Sequence, residues 1–430
     1  MITQAIHKIL KDKFGYDHFR PLQEEAITTV IEGQDVLLVL PTGGGKSLCF
    51  QVPALAKKGM SIVVSPLIAL MDDQVIALRE NGINAHAIHS NVTASDLNEA
   101  YEKVFSEETS IIYMSPERLL TESMLQYLSN QKVSLFAIDE AHCVSVWGND
   151  FRPEYEKLKL LKEKFPTVPT IALTATADNA TQKDIIEKLA LSQPKHLLGS
   201  FERKNITITA RPGIERIKEI RKFINKYEGE AGIIYCLSRK ACESVAESLQ
   251  SYGLEAAYYH AGMSSNDRKH THNKFLYDDI KIICATIAFG MGIDKSNIRW
   301  VIHYNMPKNL EGYYQEIGRS GRDGEPAEVL LFSSTADLVK LRSFIDGSEA
   351  NEKFKIIQSQ KLNRMWEFAN AHNCRTNMIL NYFGEFRSEP CGHCDNCIHP
   401  VEMIDGKIIA QKTMSAISRS HERLSLRNLI

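Results

Sequence analysis

The chain has 430 residues, 43% of them hydrophobic and 24% charged, with 51 Lys and Arg against 53 Asp and Glu. That length exceeds what one hydrophobic core serves and predicts two or three domains, while the near-neutral balance excludes a globally basic nucleic-acid binder and leaves only local basic surfaces. The opening Met1-Ile-Thr-Gln-Ala-Ile-His-Lys-Ile-Leu has neither the basic start nor the apolar stretch of a secretory leader, and no later run is long enough to span a bilayer, so a soluble intracellular protein is expected.

Taken in chain order, Phe14-Gly-Tyr-Asp-His-Phe-Arg-Pro-Leu-Gln23 comes first. It offers an aromatic ring, a guanidinium and an amide suited to adenine, and reads equally as a helix start with Pro21 near its first turn. The apolar Val36–Leu40 run then leads into Leu40-Pro-Thr-Gly-Gly-Gly-Lys-Ser47 and a helix-like segment, the context a phosphate-binding loop requires. Its glycines let backbone amides approach phosphates, Lys46 bridges the terminal phosphates, and Ser47 binds magnesium. Leu40 stands where such loops usually carry their first glycine. A plain strand-to-helix turn is the competing reading, and Lys-Ser in register with a later strand-borne acid pair disfavours it.

Short apolar runs follow at Ser61-Ile-Val-Val-Ser, Ser110-Ile-Ile-Tyr-Met, Leu135-Phe-Ala-Ile and Thr170-Ile-Ala-Leu, alternating with helix-like segments. This is the pattern of a parallel, doubly wound α/β sheet. The third run delivers Asp139 and Glu140 at a strand end, placed to hold magnesium through water and to polarise the attacking water, respectively. Trp147, Phe151 and Tyr155 then recur every four residues, as on a helix, but Gly148-Asn-Asp150 and Pro153 interrupt any such helix, so a loop is expected. Thr174 and Thr176 fall on one side of an extended segment, as a relay of the carboxylate site's state toward bound nucleic acid or simply as β-branched strand residues.

Ser200-Phe-Glu-Arg-Lys-Asn205 is polar and without period, as a connector between domains would be. Beyond it a second α/β set begins near Ile206 and runs through Gly232-Ile-Ile-Tyr-Cys, Ala256-Ala-Tyr-Tyr-His, Lys281-Ile-Ile-Cys-Ala, Trp300-Val-Ile-His and Glu328-Val-Leu-Leu-Phe. Within it, a helix through Tyr314–Asp323 would align Gln315, Arg319 and Arg322 on one face, pointing a guanidinium at a transferring phosphoryl group.

After Ser334 the pattern turns helical up to about Ile379. Cys391-Gly-His-Cys394-Asp-Asn-Cys397, with Cys374 upstream, then offers four thiolates, enough to close a tetrahedral structural zinc site. An iron–sulfur run would want its fourth cysteine at Val401, and disulfides are disfavoured by intracellular context. His393 is an alternative ligand but reads better as a solvated turn residue. Cys49, Cys143, Cys236, Cys242 and Cys284 read as reduced, buried thiols.

Assembled, these residues resemble superfamily 2 helicases and specifically the RecQ family of DNA helicases, over about residues 14 to 400. The resemblance implies two tandem RecA-like doubly wound parallel-sheet domains followed by a small helical zinc-binding domain. The expected boundaries are 1–200, 201–338 and 339–400, with 401–430 similar to the start of a winged-helix domain whose remainder the short chain lacks. Tyr16, Arg20 and Gln23 match the adenine motif. Thr42, Gly43, Gly44, Gly45, Lys46 and Ser47 match motif I, Asp139 to His142 motif II, and Leu173-Thr-Ala-Thr-Ala177 motif III. Ser65-Pro-Leu-Ile-Ala-Leu-Met-Asp-Asp-Gln74 and Ser115-Pro-Glu-Arg118 match strand-contacting elements. Tyr235-Cys-Leu-Ser-Arg239 with Tyr259-His-Ala-Gly262, Ala285 to Asp294, and Gln315 to Arg322 match motifs IV, V and VI, Ile317 and Ser320 being conservative departures.

In that family, the loop matched by Trp147, Phe151 and Arg152 contacts single-stranded DNA and couples the contact to hydrolysis. The implied cofactors are ATP, Mg2+ and Zn2+. The implied activity is 3′-to-5′ translocation on single-stranded DNA and unwinding of tailed duplexes in recombination and repair, by a monomer. An RNA helicase, or a nucleic-acid-binding scaffold with weak ATPase, is the alternative.

Overall fold

The computed structural model describes residues 2–89, 110–148, 150–289, 295–402 and 405–420. A first sheet is built from β1 (Val36–Val39), β2 (Met60–Val64), β3 (Ala85–Ile88), β4 (Ser110–Met114), β5 (Val133–Ile138), β6 (Thr170–Thr174) and β7 (Lys195–Leu198). A second uses β8 (Ile206–Pro212), β9 (Ala231–Tyr235), β10 (Ala256–Tyr259), β11 (Ile282–Ala285), β12 (Ile298–His303) and β13 (Ala327–Ser333). The spatial orders are β3-β4-β2-β5-β6-β1-β7 and β10-β11-β9-β12-β13-β8. Every pairing is parallel.

Parallel strands need helices on both faces, which is why the central runs are apolar throughout instead of alternating. Leu37, Val39, Phe136, Ile138 and Ala172 pack into a core on one side of the first sheet. Val36, Leu38, Leu135, Ala137, Ile171 and Leu173 pack into another core on the opposite side. Only β3 and β7 escape the sequence reading, and both are edge strands, where one open side removes the need for a continuous apolar run. In the second sheet, Gly232 lets β9 pass under Trp300: a Cβ there would lie 2.0 Å from the indole.

Connection order makes the site. Because β5, β6 and β1 are neighbours, the loops after Ile138, Thr174 and Val39 emerge side by side at the carboxyl edge, where doubly wound sheets bind ligands. The helices Thr335–Asp346, Glu352–Asn370 and Arg375–Tyr382 follow the second sheet. They also order the connector. Phe201 stacks on Phe383 with ring centroids 4.3 Å apart and meets Tyr314 edge-on at 5.7 Å. Glu385 accepts hydrogen bonds from the Ser200 hydroxyl at 2.7 Å and the Phe201 amide at 2.8 Å.

The helix Lys407–Arg419 leaves Ile408, Ile409 and Met414 exposed. Of the segment matched to motif V, residues 290–294 lie outside the described residues. Among the described residues, no helix is long and apolar enough to cross a membrane.

Candidate active site and metal centre

The turn after β1 depends on glycine. Gly43 and Gly45 have φ of 79° and 76°, and a Cβ on Gly45 would lie 2.4 Å from Gln23 Nε2. That close approach exists because the upstream segment is bonded onto the loop. Gln23 Nε2 donates to the Gly45 and Gly44 carbonyls at 3.0 and 3.3 Å, its Oε1 accepts from the Arg20 amide at 2.8 Å, and the Arg20 guanidinium donates to the Gly43 carbonyl. The residues read as either an adenine motif or a helix start thus touch the phosphate loop. Gln23 also opens the helix Gln23–Ile31, preceded by Leu22 at φ 68°. Tyr16 is exposed. Leu40 explains the missing first glycine, since its side chain is buried in the core and its amide donates to the Thr174 carbonyl at 3.1 Å.

Lys46 Nζ donates to the Leu40 and Pro41 carbonyls at 3.1 and 3.4 Å, while Ser47 directly precedes the helix Leu48–Ala56 without a side-chain capping bond. Burial lowers the Lys46 pKa, opposed by the carboxylates of Glu140 and Asp139. Burial, then the neighbouring Glu140, pushes Asp139 up to about 7, with Lys46 pulling it back. Burial also works against the charge of Glu140, but His142, Lys46 and Arg319 outweigh it and hold that carboxyl below its usual range. Two carboxylates and an ammonium thus share one half-buried site. Glu140 has φ 48° and ψ 44°, a conformation costing a non-glycine residue about 1–3 kcal/mol.

A chain of polar contacts leaves the carboxylates, beginning with an ion pair. His142 Nδ1 lies 3.3 Å from Glu140 Oε2 and 2.9 Å from Thr174 Oγ1. Thr174 Oγ1 meets the Thr176 carbonyl and amide at 3.2 Å each, and Gln315 Nε2 donates to Thr176 Oγ1 at 3.1 Å. Thr174 and Thr176 are fully buried at the strand end, and their contacts run between His142 and Gln315.

The segment after β12 covers the loop. A Cβ on Gly318 would lie 3.0 Å from Thr42 Cβ, and one on Gly43 would lie 3.5 Å from Arg322 Cγ. Arg319 is buried. The expected single helical face is not what carries these arginines: the helix Leu310–Ile317 stops at Gly318, and Gly321, at φ 57°, turns the chain again. Glycines break the helix so that Arg322 can lie on the glycine loop.

Sequence reasoning missed Arg203. From the connector, its Nη1 donates to the Thr42 carbonyl at 3.0 Å, and its Nη2 donates to the Ser320 and Gly321 carbonyls at 3.1 Å each. Burial lowers its pKa. One guanidinium ties the phosphate loop to the arginine segment, and a lone arginine in a polar stretch carries no pattern announcing it.

The aromatic segment is a loop, followed by a single turn Pro153–Glu156. Gly148 lies so close to the His142 carbonyl that a Cβ would fall 2.1 Å from its oxygen. Trp147 and Phe151 are half-buried, with Lys188 5.7 Å from the Phe151 ring centroid. The Arg152 guanidinium pairs with Asp150 at 3.0 Å and donates to the Pro66 carbonyl at 3.0 Å. Tyr155 departs from the other aromatics: it is fully buried, and its hydroxyl donates to the Asp139 carbonyl at 3.2 Å.

The sulfurs of Cys374, Cys391, Cys394 and Cys397 all lie within 4.8 Å of one another. A tetrahedron with Zn–S of about 2.3 Å separates sulfurs by about 3.8 Å. Cys391 Sγ lies 3.8 Å from Cys397 Sγ, and Cys394 Sγ lies 3.4 Å from it. Backbone amides of Cys391, Arg375 and Cys394 point at Cys374, Cys394 and Cys391 sulfurs at 3.3 to 3.4 Å, as thiolates require. Burial opposes the Cys391 thiolate, but Thr376 and nearby amides lower its pKa to about 6. His393 instead turns Nδ1 to the Cys391 carbonyl at 2.9 Å. The four cysteines therefore fit Zn2+ with no position left for water.

Three family models match in succession: DEAD/DEAH box helicase over residues 20–185, helicase conserved C-terminal domain over 215–324, and RecQ zinc-binding over 335–398. The chain is 46% identical over 411 residues to the ATP-dependent DNA helicase RecQ of Haemophilus influenzae, covering 96% of this chain and 66% of that protein. It is 44% identical over 429 residues to its namesake from Pasteurella multocida, covering 100% of this chain and 68% of that protein. The chain thus spans about two thirds of the length of these relatives. Its fold is similar to that of the DEAD-box helicase Mss116 bound to ssRNA and UDP-BeF, with a TM-score of 0.63 at 17% identity over 88% of this chain and 89% of that one.

Proposed function

The chain belongs to the RecQ family of ATP-dependent DNA helicases, and from that premise we propose that it moves 3′ to 5′ along single-stranded DNA, opens tailed duplexes, and hydrolyses ATP fast only when that strand occupies the Trp147 loop. One observation carries the coupling. Gly148 rests on the His142 carbonyl and Tyr155 bonds the Asp139 carbonyl, so the loop and the carboxylates form one braced segment. Bases stacking on Trp147 and Phe151 contribute about 1–3 kcal/mol each, enough to bias such a segment.

In this reading Lys46 leaves its loop carbonyls for the terminal phosphates, and backbone amides of Gly43 to Ser47 hold the rest. Magnesium, held by Ser47 and Asp139, supplies charge neutralisation when bound. Glu140 orients the attacking water and takes its proton, its own charge kept by His142, Lys46 and Arg319. Arg319 and Arg322 stabilise charge on the phosphoryl group, and the chain Gln315–Thr176–Thr174–His142 reports their arrival to Glu140. Tyr16, Arg20 and Gln23 select adenine and sense the loop together. Arg203, holding Thr42 to Ser320 and Gly321, draws the two sheets closed.

The domain units we assign are 1–200, 201–338, 339–400 and a tail 401–430 similar in sequence to the start of a winged-helix domain, of which 403–404 and 421–430 lie outside the described residues. The protein acts as a monomer on DNA inside the cell, in recombination and repair. The test is strand separation on 3′-tailed, 5′-tailed and blunt duplexes. The expected result is ATP-dependent opening of the 3′-tailed substrate alone; opening that favours a 5′ tail, or ATPase stimulated more by RNA than by DNA, contradicts the assignment.

A further inference from the structure

We infer that the buried Glu311–Lys361 ion pair links the aromatic loop to the arginine segment, so that a strand on Trp147 is felt at Arg319 and Arg322 through Lys361. This rests on the reading of Trp147 as a DNA contact and adds the route of the signal.

Lys361 lies in the helix Glu352–Asn370 of the helical unit and is only 6% exposed. Its ammonium has two partners, the Glu311 carboxylate and the main-chain carbonyl of Trp147. Glu311 is 2% exposed. Three segments remote in sequence therefore meet at one nitrogen: the loop after β5, the helix after β12 and the helical unit. Burying two opposite charges rarely adds stability over apolar residues of similar size, and the best-attested use of such a pair is to fix a register. Here the register is that of the helix Leu310–Ile317 against the aromatic loop.

That helix is tied to the first sheet at two points one turn apart. Glu311, in its first turn, reaches the loop through Lys361, and Gln315 reaches Thr176 Oγ1 at 3.1 Å. Past its end, the chain carries Arg319 and Arg322 over the phosphate loop. The Trp147 peptide is not free to shift unnoticed. Its amide donates to Ser145 Oγ at 3.1 Å, Ser145 in turn donates to Asp184 at 2.6 Å, and Gly148 is pressed on the His142 carbonyl. A base that reorients the indole moves the peptide whose oxygen Lys361 holds, and Lys361 carries that displacement to Glu311. Lys361 and Glu311 touch no substrate in this scheme, so they are positioning residues.

The test compares wild type with the double variant Lys361→Met/Glu311→Gln, which leaves no unpaired buried charge, and with Lys361→Arg, which keeps both partners. Read out are basal ATPase, ATPase saturated with a thymidine oligonucleotide, affinity for that oligonucleotide, and thermal unfolding. The double variant is expected to keep basal turnover, oligonucleotide affinity and unfolding midpoint near wild type, and to lose stimulation by at least about fivefold, a typical coupling between sites. Lys361→Arg is expected to restore most of it.

A loss of stimulation smaller than about fivefold would overturn the link, since that lies below typical coupling. If the double variant does not fold, amide exchange in the wild-type protein decides: protection over 310–322 must change on adding the oligonucleotide without nucleotide, and no change overturns the proposal. A wild type whose ATPase ignores the oligonucleotide would instead sink the DNA-contact reading itself, and the link with it.

Discussion

Glu140→Gln will lower DNA-stimulated ATP hydrolysis by about a hundredfold to ten-thousandfold, the contribution of a positioned general base, while ATP and DNA binding survive. The substitution changes one oxygen to an amide and leaves shape intact, so the left-handed backbone at residue 140, set by the Asp139 hydrogen bonds to Val64 and to the Glu140 amide, is retained. What goes is the anion. Lys46 and Asp139, which in the proposed reading would hold phosphates and metal, are untouched, so affinity is expected to persist while no group is left to take the water's proton. Measurement of kcat with and without saturating single-stranded DNA, beside an equilibrium ATP titration, decides it. Turnover equal in wild type and variant would instead identify a nucleic-acid-binding scaffold whose carboxylates are idle.

Arg319→Ala is expected to cost about a thousandfold or more in kcat, the typical worth of a guanidinium stabilising the transferring phosphoryl group, with little change in the affinity for ATP. The expectation rests on place. Arg319 is buried at the turn after Gly318, and its charge reaches the Glu140 carboxylate across the cleft. Arg322 lies on Gly43 of the phosphate loop and contributes similarly. Single-turnover rates with prebound ATP separate this from a binding defect: a variant that binds ATP normally and hydrolyses it at the wild-type rate would remove Arg319 from the chemistry.

Legibility of the chain followed the physics of burial. Central strands were readable because two covered faces demand continuous apolar runs, whereas β3 and β7, at the edges, were not. The glycine loop, the strand-end acids and the four cysteines were readable because phosphate, magnesium and zinc each demand particular atoms at particular spacings. Tyr155 shows the limit of spacing: it recurs at the interval of Trp147 and Phe151 yet turns inward to the Asp139 carbonyl. The arginines were identified, but their carrier was not, because two glycines end the helix that spacing alone would continue. Arg203 and Lys361 were invisible for a shared reason. Main-chain carbonyls are among their partners, every residue has one, and only the folded chain says which carbonyl is near.

In the proposed function, a strand on the aromatic loop switches the carboxylate site a few residues away. The most direct measurement is steady-state ATP hydrolysis with and without a single-stranded oligonucleotide, in wild type and Trp147→Ala. The account predicts at least about tenfold stimulation in the wild type, within the range of coupling between sites, and its near-complete loss in the variant at unchanged basal rate. Full stimulation retained by Trp147→Ala would contradict it.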